Sequence, residues 1–534
     1  MLFHDLIFRM ARLCPARAAL VDRSACFSYA DLAEHVLQVA AGLEAIGLSH
    51  GDRVAAYLDK QAEGVAAIFA ATAAGGVTVP CNPLLKPQQL AHIVRDAGCR
   101  VLVTSRARYE RCRDEVDFPR GLTVVVVDGD APVAADGDHV ITWSELLGAR
   151  DPSSAPPVAA RPDSDVAALL YTSGSTGRPK GVVLSHRNLV AGAESVASYL
   201  GNHADDVILA LLPLSFDAGL SQLTTAFQTG ATAVLHNYLL PGDVAKICQR
   251  HGVTGLTAVP AIWRQLTRVA WPTEARDSMR YFANTGGHMP GDLLSDLRET
   301  FPRADPVLMY GLTEAFRSTY LPPAEVDRRP QSIGKAIPNA EILVVRPDGK
   351  PCEPGEVGEL VHKGPLVARG YWNAPELTAQ KFRPTPDRLE NLPNPEMAVY
   401  SGDLVRKDAD GFLYFVGRDD EMIKVGGVRV SPTEVEEVLD AHDEVVESAA
   451  FGLAHPMLGQ AAVVCYVPAG GRLTDEAALI AYCRRHLATF MVPARLIALD
   501  ALPLSPNGKV DRKALRERYR DLLTGERADG NTDS

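Results

Sequence analysis

From Leu32 to Tyr310 the chain alternates helical and extended patterns, and this alternation restricts the fold more than any other feature of the sequence. Leu32, Val36, Val39, Leu43 and Ile46 recur at helical spacing, and Gly47 follows as a stop. Residues 54–58 read as a strand, 61–74 as a helix and 77–81 as a strand. Further strands fall at 101–104, 124–127, 167–171, 207–213, 233–236, 256–259 and 307–310. Such alternation implies mostly parallel sheets covered by helices, an α/β fold. Sheets of this kind bind ligands at the carboxyl ends of their strands, so chemistry is expected in the loops that follow them.

The pattern shifts near Glu341. Short strands at 342–345, 358–362 and 412–416 alternate with Gly/Pro-rich turns, and predict a small β-rich subdomain over about 335–418. Beyond Gly417-Arg418-Asp419-Asp420 a compact α+β segment follows, with helices at 432–440 and 475–487. We therefore expect a large N-terminal domain, 1–418, a small C-terminal domain, 419–522, and a polar, disordered tail, 523–534. A net charge of −12 without a Lys/Arg run argues against a nucleic-acid partner. Nine cysteines without a CxxC pair argue against a metal cage or a disulfide framework, and fit a cytoplasmic protein. The first twenty residues lack the form of a signal peptide, and no run of about 18 apolar residues predicts a membrane span.

The densest chemistry lies in Tyr171-Thr172-Ser173-Gly174-Ser175-Thr176-Gly177-Arg178-Pro179-Lys180-Gly181. Glycines permit a tight loop with exposed N–H groups, and hydroxyls and an ammonium add donors and charge, as phosphate binding requires. The GKS/GKT ending of a Walker A loop is absent. A solvated Ser/Gly linker is the alternative; the position after a strand and before a helix near Arg187 favours the phosphate loop.

This segment resembles the signature loop of the adenylate-forming superfamily, which includes acyl-CoA synthetases, amino-acid adenylation domains and luciferases. The resemblance covers nearly the whole chain, with its motifs in the same order. It implies that Thr172, Ser173, Gly174, Ser175, Thr176, Gly177 and Lys180 hold the phosphates of ATP. Thr285-Gly286-Gly287 resembles the loop that packs on adenine. Met309-Tyr310-Gly311-Leu312-Thr313-Glu314 matches the family's YGxTE motif, which implies that Tyr310 stacks on adenine, Gly311 lines the nucleotide site, Thr313 contacts the α-phosphate and Glu314 holds Mg²⁺. Tyr400-Ser401-Gly402-Asp403 resembles YxTGD with Ser in place of Thr, so that Asp403 would bind the ribose hydroxyls and Arg418 the ribose and phosphate. Asp420 matches the hinge of the mobile C-terminal domain. Gly426 and Gly427 match the tunnel for a pantetheine thiol. Lys509, in a PxxxxGK-like turn, would act on the substrate carboxylate and α-phosphate. Thr176, Glu314 and Lys509 form the implied catalytic group.

For the acid itself, Leu212–Gly219 is the informative stretch. Its Phe216-Asp217 resembles the Phe-Asp of amino-acid adenylation domains, where Asp pairs with the substrate amine. The alternative makes Asp217 a cap for a helix over 220–227. With Phe216 and Asp217, the expected pocket comprises Ala218, Ser221, Thr257, Ala283, Thr285 and Met309, which suits a small amino or imino acid, proline first. The chain resembles both stand-alone prolyl-adenylating ligases and AMP-forming acyl-CoA ligases found beside exosortase systems. The expected acceptor is the phosphopantetheine of a separate carrier protein; free coenzyme A is the alternative, with a fatty, aryl or other organic acid as substrate.

Overall fold

The computed structural model describes residues 1–23, 25–130, 132, 139–149, 161–173, 179–387, 391, 393–418, 421–425, 428–455, 458–471, 475–487, 489–505 and 508–523. The chain forms two compact units, one of residues 1–343 and 361–401, the other of 344–360 and 402–534. The expected boundary at Asp419–Asp420 and the tail over 524–534 lie outside the described residues.

The first unit contains two sheets. One has seven strands in the order His139–Thr142, Thr123–Val126, Cys99–Thr104, Arg53–Tyr57, Val77–Pro80, Val166–Ser173 and Pro179–Ser185. All neighbours are parallel except the last two. The other sheet carries a parallel core: Asp305–Tyr310, Tyr281–Asn284, Gly255–Ala258, Val207–Ala210, Thr232–Leu235 and Ala18–Asp22. Antiparallel strands flank it, Ala25–Ser28 at one side and Thr319–Leu321 at the other. Strands such as Tyr281–Asn284 and Gly255–Ala258 are buried at every position, the pattern of a sheet covered on both faces.

The expected helix over 61–74 is present as Ala62–Ala73, and nearly all of it is buried. A helix apolar on all sides belongs in a core, and Phe69 stacks on Phe3 at 4.4 Å and meets Phe227 edge-on at 5.5 Å. Tyr29–Ala45 begins at Ser28, whose hydroxyl accepts from Asp31 N while the Asp31 carboxylate accepts from Ser28 N. This reciprocal cap explains where the helix starts.

The second unit contains the strand Leu413–Arg418 and, beyond it, the small α+β segment. Its sheet runs Val428–Val430, Ile423–Val425, Gly459–Pro468 and Val445–His455, with Arg495–Ala498 parallel to Gly459–Pro468. Pro432–Asp440 and Glu476–His486 supply Val435, Leu439, Leu479 and Cys483 to its core. Within it, Glu436 is buried, but it accepts from Arg512 Nη2 at 2.6 and 2.7 Å and from Ala450 N at 2.7 Å. Among the described residues no helix is long and apolar enough to cross a membrane. The expected α/β class, with a large sheet-built N-terminal part and a small C-terminal part, is the architecture found.

Candidate active site

The Ser/Gly segment departs from expectation in one respect. It joins two antiparallel strands rather than a strand and a helix: Tyr171 pairs with Gly181, Thr172 with Lys180 and Ser173 with Pro179. The helix starts only at His186. Pro179–Ser185 forms a strand of its own, buried at every position from Gly181 to Ser185, with Val182 and Leu184 fully buried. The pairing brings Thr172 and Lys180 together, both half-buried, beside the tip. Gly174, Ser175, Thr176 and Gly177, and the side chain of Ser173, lie outside the described residues. The hairpin is anchored below its tip, where the Tyr171 hydroxyl donates to Asp96 Oδ2 at 2.6 Å. A Cβ at Gly181 would stand 3.0 Å from the Tyr171 ring, so the partner strand needs glycine there.

In the other sheet, the parallel neighbours Tyr281–Asn284 and Asp305–Tyr310 end side by side. Thr285-Gly286-Gly287 follows the first. It is fixed by Thr285 N to Ala258 O at 3.2 Å and Asn284 Nδ2 to Gly287 O at 2.9 Å, and Gly286 adopts φ +76°. Tyr310 and Gly311 end the second strand and are half-buried. Thr313 and Glu314 occupy a single 3₁₀ turn. Glu314 Oε1 accepts from the Tyr371 hydroxyl at 2.6 Å, while Glu314 O accepts from Ala368 N at 2.8 Å.

The next residue is strained. Phe316 adopts φ 57° and ψ −47°, and Arg317 N donates to Ala315 O at 2.6 Å, the geometry of a γ-turn. Such a backbone costs about 1–3 kcal/mol and persists where surrounding packing enforces it. The packing is visible at Gly192, where a Cβ would stand 2.4 Å from Phe316 Cδ1. The consequence of the turn is to send Arg317 inward. Its side chain is only 2% exposed, and it forms an ion pair with Asp217 Oδ2 and donates to Phe316 O at 3.0 Å. Thr313 Oγ1 adds a bond to Asp217 Oδ1 at 3.3 Å.

Asp217 is not the helix cap of the alternative reading. It is the first residue of the helix Asp217–Thr229, which follows Phe216 without a side-chain cap. Its carboxylate already has a cationic partner in Arg317, from the same chain.

Arg317 also lines a narrow cavity with Ala218, Ser221, Thr257, Met309 and Tyr281. Its volume of about 10 Å³ gives room for about one water. Of the expected pocket, Ala218, Ser221, Thr257 and Met309 line it. Phe216 and Asp217 stand at the helix start behind its wall, and Ala283 and Thr285 are buried in the neighbouring strand and loop. Sequence reasoning missed Val196, Leu200, Ile208, Gln222, Thr225, Tyr281 and Arg317. Val196 and Leu200 share a helical i, i+4 face that could have signalled the wall. Gln222 is fully engaged with backbone, accepting from Leu212 N at 3.0 Å and donating to Leu209 O at 2.8 Å. Two buried atoms in the wall have no hydrogen-bond partner, Arg317 Nε and Thr225 Oγ1. Burial raises the Tyr281 hydroxyl well above its ordinary range, so it stays neutral.

The remaining predicted residues belong to the second unit. Asp403 and Arg418 face each other across an antiparallel pair, Arg418 Nε lying 3.5 Å from Asp403 Oδ1. Gly402 takes φ +77° and donates from N to Glu359 Oε1 at 2.9 Å. Lys509 is exposed on a tight turn closed by Ser505 N to Lys509 O at 2.7 Å and Gly508 N to Ser505 O at 2.9 Å. Asp420, Gly426 and Gly427 lie outside the described residues.

The sequence model of AMP-binding enzymes matches residues 7–372, and that of the AMP-binding enzyme C-terminal domain matches 434–509. The chain belongs to the AMP-binding enzyme family, within the adenylate-forming superfamily. The L-proline–[L-prolyl-carrier protein] ligase of Streptomyces coelicolor is 34% identical, over 94% of this chain and 93% of its own. A feruloyl-CoA synthase of an Amycolatopsis species is 32% identical, over 96% and 98%. The O-succinylbenzoate coenzyme A synthetase of Bacillus subtilis, solved with ATP and a magnesium ion, superposes with a TM-score of 0.80 at 29% identity, over 96% and 99%. This AMP-binding enzyme is accordingly an acid–thiol ligase that activates a carboxylic acid with ATP. Among its described residues no three His, Cys, Asp or Glu side chains cluster as a metal cage. Glu314 alone stands in the YGxTE turn, one oxygen held by Tyr371. That fits Mg²⁺, which takes one or two carboxylates and completes its shell with water and phosphate oxygens.

Proposed function

We propose that this AMP-binding enzyme activates a small carboxylic acid that lacks an α-amino group and carries a hydrogen-bond acceptor in its acyl part, and transfers it to the thiol of coenzyme A. The carrying observation is the Asp217–Arg317 pair. A carboxylate in an acyl site attracts a substrate amine because burying it unpaired is costly. Here Arg317 already meets that need, and the donors left without partners in the cavity, Arg317 Nε and Thr225 Oγ1, ask for an acceptor rather than a cation.

In this reading the substrate carboxylate attacks the α-phosphorus of ATP, an acyl–O–P bond forms, and the bond to pyrophosphate breaks. Thr172, Ser173, Gly174, Ser175, Thr176, Gly177 and Lys180 hold the phosphates. Tyr310, Gly311, Gly286 and Gly287 frame adenine, and Thr313 orients the α-phosphate. Glu314 and its hydroxyl donor Tyr371 hold Mg²⁺, which supplies charge neutralisation at the phosphates. Asp403 and Arg418 take the ribose, and Lys509 stabilises charge as pyrophosphate leaves. The thiol, passing Gly426 and Gly427 after rotation about Asp420, attacks the acyl carbon and releases AMP.

The likeness to the prolyl-carrier protein ligase supports a second reading, an amino or imino acid loaded onto a carrier protein. One experiment separates the two. The enzyme is incubated with ATP, Mg²⁺, a panel of hydroxy, keto, aryl and amino acids, and either coenzyme A or a phosphopantetheinylated carrier, and AMP and thioester are measured. We expect acyl-CoA from a non-amino acid. Thioester formed only from an amino acid on the carrier would favour the second reading.

A further inference from the structure

A second cavity lies in the first unit, away from the residues assigned to nucleotide and acyl group. It opens at the carboxyl ends of the parallel neighbours Ala18–Asp22 and Thr232–Leu235, and has a volume of about 200 Å³. Its wall contains Arg23, Lys60, Arg250, His236 and His251, and one acid, Asp22. Asp22 is already engaged, its Oδ2 accepting from Ala62 N at 2.8 Å. Arg23, Lys60 and Arg250 form no ion pair among the described residues. Two permanent cations, Arg23 and Arg250, and the Lys60 ammonium around a single lining carboxylate leave the cavity positive in a protein whose overall charge is −12.

The frame is built rather than accidental. Lys60 N donates to Asn237 Oδ1 at 2.9 Å and Asn237 Nδ2 donates to Lys60 O at 3.0 Å, a reciprocal clamp that locks the two loops together. Lys60 Nζ reaches over to Leu211 O at 2.8 Å, which uses one of its three donors. Burial pulls this ammonium down to about 8, against the pull of Asp59, so a nearby anion would stabilise it. His236 Nε2 is buried without a partner. Arg23 holds φ 55° in the turn after Ala18–Asp22, a left-handed position that Gly, Asn or Asp would occupy more easily. The turn between the paired residues Asp22 and Ala25 accounts for that backbone, and it places Arg23 at the cavity, on the carboxyl edge of the parallel sheet.

We propose that this cavity is an anion-binding site for a small molecule bearing a phosphate or carboxylate group. It is independent of the acid that the enzyme activates. The test is calorimetric titration of the full chain with inorganic phosphate and, separately, with acetate, each in the presence of saturating AMP to occupy the nucleotide site. Saturable binding of at least one anion is expected in the wild type. Lys60→Gln and Arg250→Gln should each weaken it by about tenfold, the loss of one charge-assisted contact. Arg250 stands at an exposed helix end, so its variant keeps the test open if Lys60→Gln does not fold. Binding of phosphate alone would assign a phosphorylated ligand, and binding of acetate alone a carboxylic acid. No saturable binding of either anion, binding abolished by AMP, or affinity unchanged in both variants would overturn the proposal.

Discussion

Thr172, Lys180, Tyr310 and Glu314 stand half-buried on turns beside strand ends, each inside a short contiguous motif. The cavity lined by Arg317 is made differently. Arg317 is 2% exposed and meets Asp217 from 100 residues away, and the rest of the wall comes from two helices and four strands. The comparison teaches that the two sites should fail in different ways. A residue on an accessible turn can be removed with loss of chemistry alone. A residue in the cavity wall also holds the core, so its removal costs stability as well as selectivity.

The largest expected effect is therefore on folding. Arg317→Met leaves the half-buried Asp217 without its cation and should lower unfolding stability by about 3 kcal/mol. Asp217→Asn added to it should restore a substantial part, because the stranded charge is gone. Chemical denaturation of the single and double variants measures this; additive losses would show that the pair is not coupled. Lys509→Ala should act in the opposite manner. We expect a fall of about 10²–10³ in adenylate formation with an unchanged melting temperature. Thioester formation from preformed adenylate should survive, and equal loss in both steps would remove Lys509 from the first.

Smaller effects probe the support of the cavity. Gly192→Ala pushes a methyl into the Phe316 ring and should cost about 1–3 kcal/mol while weakening acid binding more than ATP binding. A matching loss for ATP would erase the distinction between the sites. The last test is pH. Burial pulls His362, bonded to Ser318 Oγ at 2.9 Å, down to about 3 from 6.5. Between those values the unfolded chain binds a proton that the folded one refuses. Stability should thus decline as pH falls from 6.5, by about 1.4 kcal/mol per unit from this group. His362→Gln should flatten the slope of denaturation midpoint against pH; an unchanged slope would place the acid sensitivity elsewhere.

The same contrast explains what could be read in advance. The alternation of segments revealed the parallel sheets, and the motif order revealed the nucleotide chemistry, because both are local in sequence. The hairpin Val166–Ser173 and Pro179–Ser185 was read as a strand-to-helix turn, since Pro179 and Gly181 obscure a strand that only its partner's register makes plain. The sequence leads one to expect a substrate amine beside Asp217, and the structure adds Arg317 as a partner from the same chain. No pattern within a window of twenty residues links it to Arg317, and the γ-turn at Phe316 that aims the guanidinium depends on Gly192, far away in the chain. Tyr281 and Thr225 were missed because a buried strand residue and a buried helix residue look alike whether they face a cavity or solid core.

The claim that Arg317 has taken the place of a substrate amine is tested most directly by ATP–pyrophosphate exchange on the wild type with matched pairs of acids, each amino acid against the analogue that bears a hydroxyl in place of the amine. With Asp217 already neutralised, the hydroxy acid should support the faster exchange, and Asp217→Asn should not alter that order of preference. Faster exchange with the amino acid, reversed in Asp217→Asn, would mean that Asp217 leaves Arg317 to bind the substrate amine, and would contradict the assignment.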